Sequence, residues 1–114
     1  MRYLALIYGN DDIWNGPDRR DMIAKVNDFN RRLTESGELI SVNGLVGPPV
    51  TVRPTEDGLP VISDGPYLEV KEHVGSYFML DVESHERALE IIQSYPGVTS
   101  RGGGVELWRL MHQR

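Results

Sequence analysis

The sequence predicts an α+β fold of order βαβ, hairpin, βαβ. Three observations carry this. Strand-like apolar runs occur at Arg2–Tyr8, Leu39–Val46, Val74–Asp81 and Val105–Met111. Two segments with apolar residues at helical spacing fall between them, Asp18–Ser36 and Ser84–Tyr95. Gly and Pro cluster at the joints, where they punctuate rather than divide the chain. At 114 residues, with no repeat and no linker, the chain is one domain spanning residues 1–114.

Each element has its own justification. In Arg2–Tyr8, residues Tyr3, Ala5 and Ile7 point one way and Leu4, Leu6 and Tyr8 the other, so both faces call for cover. Gly9–Pro17 is a polar loop holding Trp14. Asp18 is placed to cap the first helix, and Met22, Val26, Phe29 and Leu33 form its apolar stripe. Gly37 suits the left-handed residue that ends a helix. Leu39–Val46 is a strand interrupted by Asn43-Gly44 and stopped by Pro48-Pro49. Thr51–Arg53 and Val61–Ser63 flank Asp57-Gly58, a hairpin signal. Ser63–Glu72 is a loop around Asp64-Gly65-Pro66-Tyr67. The strand Val74–Asp81 sets Val74, Phe78 and Leu80 on one face and Tyr77 and Met79 on the other. Ser84 is the expected N-cap of the second helix, whose buried stripe is Ala88, Ile91, Ile92 and Tyr95, and Pro96-Gly97 ends it. Arg101–Gly104 is a glycine-rich turn before the last strand.

This is the ferredoxin-like βαββαβ plan with an inserted β-hairpin. Two helices cover one face of a four-stranded sheet, yet two strands are apolar on both. A second chain is therefore expected to pack sheet against sheet as a homodimer.

Composition narrows function by exclusion. With 17 Asp and Glu against 12 Lys and Arg, the formal charge is −5, opposite to what a nucleic-acid partner selects. The absence of cysteine excludes disulfides, thiolate metal sites and a thiol nucleophile. The six apolar or aromatic residues Tyr3–Tyr8 are too few for a signal or membrane segment, so no membrane partner and a cytoplasmic location are expected. The histidines His73, His85 and His112 are widely spaced, and no metal or cofactor is expected.

The segment Ser63-Asp64-Gly65-Pro66-Tyr67-Leu68-Glu69-Val70-Lys71-Glu72 resembles the signature loop of the DGPF-domain, or YCII-related, family, with Tyr67 where Phe is usual. Gly75-Ser76-Tyr77-Phe78, the start Met1–Gly9 with Trp14, and the end Gly104–Leu107 resemble that family too. The resemblance implies a dimeric α/β-barrel, a fold shared with muconolactone isomerases, small quinone-forming monooxygenases and stress-responsive barrels. It also implies, for enzymes of the wider group, a His–Asp pair with the His on the first helix. Gap-free alignment on Gly37-Glu38-Leu39 puts that His at about Val26, and no His lies between Met1 and Glu72. That chemistry is not carried over.

The candidate acid–base residues are Asp64, in the loop, and His73, which borders it and carries an imidazole suited to acid or base work. Candidate ligand-binding residues are Tyr8, Trp14, Tyr67, Lys71, Tyr77 and Arg101. Lys71, flanked by acidic residues, stays protonated and suits an anion rather than nucleophilic attack. Tyr77 and Trp108 are placed to wall a space between two sheets, or to fill a dimer core. Arg101-Gly102-Gly103-Gly104 lacks phosphate-loop spacing, leaving Arg101 as an anion contact. The sequence thus points first to a small-molecule-binding homodimer with its pocket near the Asp-Gly-Pro-Tyr loop. The alternatives are a cofactor-independent isomerase, lyase or monooxygenase acting on a small aromatic or lactone-like metabolite, and an assembly module with a filled pocket.

Overall fold

The computed structural model describes residues 1–9, 16, 19–67, 73–99 and 103–113. Among the described residues, six strands and two α-helices follow in the expected order. They are β1 (Arg2–Gly9), α1 (Arg19–Glu35), β2 (Leu39–Gly44), β3 (Val50–Pro54), β4 (Pro60–Asp64), β5 (His73–Asp81), α2 (His85–Gln93) and β6 (Gly104–Arg109), with a 3-10 turn at Pro96–Thr99. The main sheet runs β2-β5-β1-β6 with every neighbouring pair antiparallel. This is the ferredoxin-like sheet. Among the described residues, β3 and β4 pair only with each other and form a separate two-stranded arm.

Local chemistry explains the boundaries. Gly37 takes φ +80°, Glu38 N–H donates to Leu33 O at 3.0 Å and Gly37 N–H to Thr34 O at 3.1 Å, the double bond pattern that closes a helix on a left-handed glycine. Ser84 caps α2, its Oγ accepting from Arg87 N–H at 3.1 Å. The expected cap of α1, Asp18, lies outside the described residues. α2 ends at Gln93, two residues before Tyr95, which turns inward behind it. β2 ends at Gly44 and β6 at Arg109, each two residues short of the sequence expectation.

The core lies between the sheet and the helices. Tyr3, Ala5 and Ile7 of β1 and Phe78 and Leu80 of β5 are buried against Phe29 and Leu33 of α1 and Ala88 and Ile91 of α2. Phe29, Phe78 and Tyr95 form an aromatic cluster, with Phe29 edge-on to Tyr95 at 5.3 Å and Phe78 stacked on Tyr95 at 5.9 Å. Arg87 clasps Glu38 with two 2.8 Å bonds, tying α2 to the corner between α1 and β2. His85 is exposed, and its Nδ1 lies 3.1 Å from the Tyr3 hydroxyl. The opposite sheet face carries Leu4, Leu6 and Tyr8 of β1, Tyr77 and Met79 of β5 and Trp108 of β6. Both α-helices pack on the other side.

Candidate functional site

The site starts from an irregularity in the sheet. β1 and β5 pair in step from Arg2↔Asp81 to Ile7↔Ser76, then Tyr8 pairs with Val74, so Gly75 is an extra residue. Such a bulge breaks alternation and bends the strand. It moves Val74 opposite Tyr8, away from the simple alternation that grouped it with Phe78 and Leu80. The Gly75 carbonyl instead accepts from Leu45 N–H at 2.9 Å, holding the chain that leaves β2.

A cavity of ≈ 1020 Å³ opens beside this bulge. Its floor is the helix side of the sheet, where Ile7, Val42 and Phe78 present apolar side chains. α1 supplies Val26 and, one turn on, Asn30. Tyr95 closes the inner end. The outer wall is the Leu45–Pro49 segment with Pro66 and Tyr67 from the arm's root, and His73 also lines it.

Within this apolar body a few polar groups converge. The Tyr95 phenol lies near the Ser76 hydroxyl, and burial, the larger influence, pushes its pKa up to about 12, so it keeps its proton at neutral pH. The Asn30 amide oxygen is buried with no hydrogen-bond partner among the described residues. His73 supplies an imidazole at the exposed end. The arrangement suits a neutral, mostly apolar molecule with oxygen substituents.

Of the residues singled out from sequence, Tyr67 and His73 line this cavity. Asp64 is exposed at the end of β4, opposite Val50, and is not part of the cavity wall. Gly65 takes φ +110°, its N–H donates to Pro49 O at 2.7 Å, and its carbonyl accepts from Thr51 Oγ at 2.6 Å. The Asp-Gly-Pro-Tyr turn thus clamps the arm's root. Tyr67 is exposed beneath the Arg53 guanidinium, 4.2 Å from its ring, and Arg53 also bonds the Tyr67 carbonyl. Tyr8 and Tyr77 point to the opposite face of the sheet. There the Glu106 carboxylate accepts from Tyr8 at 3.1 Å and from Trp108 Nε1 at 2.8 Å. Burial, then Glu106, raise the Tyr8 pKa. Trp14, Lys71 and Arg101 lie outside the described residues. The space expected to be walled by Tyr77 and Trp108 is an open sheet face in the single chain, and the cavity lies on the helix side.

Asn30, Ser76 and Tyr95 were not candidates from sequence. Asn30 had a legible signal, a polar side chain four residues after Val26 on the apolar stripe. Ser76 and Tyr95 had none, because their meeting depends on the bulge and on the turn after α2.

A family model described as YCII-related domain matches residues 1–112. An uncharacterised protein of Rhizobium meliloti strain 1021 is 25% identical over 113 residues, covering 94% of this chain and 90% of that protein. Among solved structures, 5-chloro-2-hydroxyhydroquinone dehydrochlorinase of Burkholderia phenoliruptrix AC1100, in complex with 2,5-dihydroxybenzoquinone, superposes with a TM-score of 0.58 at 16% identity. That match covers 99% of this chain and 96% of the other, and it establishes the shared fold. With the family model spanning nearly its whole length, the chain belongs to the YCII-related domain family.

Proposed function

We propose that this chain is a small-molecule-binding homodimer that holds a flat, oxygen-bearing apolar ligand between α1 and the main sheet. The observation that carries the reading is the ≈ 1020 Å³ cavity, apolar in body with the Tyr95–Ser76 pair, Asn30 and His73 set into its wall. A site of this size and mixed lining is what a small-molecule ligand needs. The dehydrochlorinase of the same fold was solved with a dihydroxybenzoquinone, which supports a ring of that kind as the first probe. The uncovered face bearing Leu4, Leu6, Tyr77, Met79 and Trp108 supports the homodimer reading.

The test is calorimetric titration with 2,5-dihydroxybenzoquinone and with neutral 1-naphthol. Saturable binding of at least one is expected, weakened at least about tenfold by Val26→Trp, which fills the cavity. No saturation by either would contradict the reading.

His73 on the cavity wall favours one second reading, cofactor-independent proton transfer on a bound aromatic or lactone-like metabolite. In that case turnover of such a compound falls in His73→Ala while binding persists, and Asp64→Ala, outside the wall, changes it less. Equal turnover in all three proteins would remove His73 from the chemistry.

A further inference from the structure

The arm formed by β3 and β4 has no layer of its own to rest on. Its register pairs Val52 with Ile62, Val50 with Asp64 and Pro54 with Pro60, so these residues share one face. Val50 is 63% exposed, Val52 57% and Ile62 72%. The other face is already engaged: Thr51 bonds the Gly65 carbonyl and Arg53 lies over Tyr67. Eight of the fourteen large hydrophobic side chains exposed among the described residues fall between Leu45 and Tyr67. Exposed apolar surface is therefore concentrated on and around the arm. A two-stranded hairpin alone in water is marginal.

The size of the molecule points the same way. Its radius of gyration is 16.1 Å, against about 13 Å for a compact domain of this length. Its accessible surface is 8228 Å², about 1900 Å² more than the ~6300 Å² usual for a folded monomer of 12.9 kDa. Each partner of a standard interface hides about 800 Å², and obligate dimers hide more. The open sheet face measures only about 400 Å² in plan, taking four strands of six residues at ordinary strand spacings. Side-chain relief enlarges that figure, yet the sheet alone leaves much of the excess unmatched.

We propose that the Val50–Val52–Ile62 face of the arm packs on a second copy of this chain, extending the sheet-to-sheet interface. This rests on the homodimer reading above. The arm's charges disfavour two other kinds of occupant. Glu56 and Asp57 sit at its tip, Asp64 near its root, and its one cation, Arg53, is turned onto Tyr67. Such a surface repels nucleic acid and anionic lipid. In a two-fold dimer both arms are buried at once by the same contact. Because Pro66 and Tyr67 at the arm's root also line the cavity, docking the arm braces the cavity's outer wall.

Sedimentation velocity across a wide concentration range tests this on wild type, Leu4→Glu/Leu6→Glu and Val52→Glu/Ile62→Glu, with far-UV circular dichroism confirming folding. The arm variant is expected to raise the dimer dissociation constant about 100-fold. Since the chain has no cysteine, Val52→Cys carrying a bimane label reports the arm directly in an otherwise wild-type background. Its emission is expected to shift blue as the protein associates. An arm variant that dimerises as tightly as wild type, or a label that stays in water within the dimer, overturns the arm's role and leaves the sheet-to-sheet dimer standing. A wild type that remains monomeric throughout overturns the dimer itself.

Discussion

The two faces of the main sheet are built from the same kinds of residue and meet different fates. Along β1, Tyr3, Ala5 and Ile7 are buried under the helices, while Leu4, Leu6 and Tyr8 alternate with them and stay half-exposed. β5 repeats the pattern with Phe78 and Leu80 against Tyr77 and Met79. Composition therefore says that both faces need cover. Only the supply of helices decides which face gets it from within the chain. The covered face is not sealed either, since past the Gly75 bulge, α1 and the sheet part to leave the cavity.

Substitutions on the two faces should separate accordingly. The largest effect is expected from Phe78→Ala. It removes a fully buried ring from the aromatic cluster and should cost about 3–5 kcal/mol in urea unfolding. Leu6→Ala, its counterpart on the open face, should cost under about 1 kcal/mol in dilute monomer. It should cost clearly more where the protein is dimeric, so its effect grows with concentration while that of Phe78→Ala does not. Equal, concentration-independent losses would erase the distinction between the faces.

Smaller effects probe how the covered side is held. A Cβ on Gly97 would meet the Tyr95 ring at 2.8 Å, and that ring is packed against Phe29 and Phe78. Gly97→Ala should cost about 1–3 kcal/mol by thermal unfolding and disturb the cavity's inner end. Glu38→Gln loses the charged half of the Arg87 clasp, about 1–2 kcal/mol at neutral pH. Arg87, the stronger cause, and Ser36 hold the Glu38 carboxyl below its usual range. Between that lowered value and the ordinary ~4.3, the unfolded chain binds more protons, so stability rises with pH there. The clasp's contribution is thus full above the ordinary value and lost as pH falls through the lowered one. The gap between wild type and Glu38→Gln should close on acidification. A gap that does not change with pH would contradict this.

Local signals were legible in the residues. The helix stop at Gly37, the cap at Ser84 and the turn at Asp57-Gly58 each depend on a few neighbouring side chains, and each stands where expected. The order of elements followed from periodicity in the same way. The bulge at Gly75 was not legible, because it is a property of the β1–β5 register. The cavity was not legible for a related reason. Two equally apolar faces do not say which one parts from its cover, and the aromatic residues Tyr77 and Trp108 drew attention to the other side. The resemblance did place one position on the cavity: Val26, aligned with the helix histidine that the resemblance implies for enzymes of the wider group, lies in its wall. The Asp-Gly-Pro-Tyr loop was legible as a tight turn, and that turn holds the arm's root.

The most direct measurement sets one residue of each face against the other in a single ligand titration. Val26→Trp fills the cavity on the helix side, and Tyr77→Ala clears the opposite face. With 2,5-dihydroxybenzoquinone or 1-naphthol as the probe, Val26→Trp is expected to lose binding by at least about tenfold and Tyr77→Ala to retain it. Loss of binding in Tyr77→Ala with Val26→Trp unaffected would move the ligand to the open face and contradict the assignment of the site.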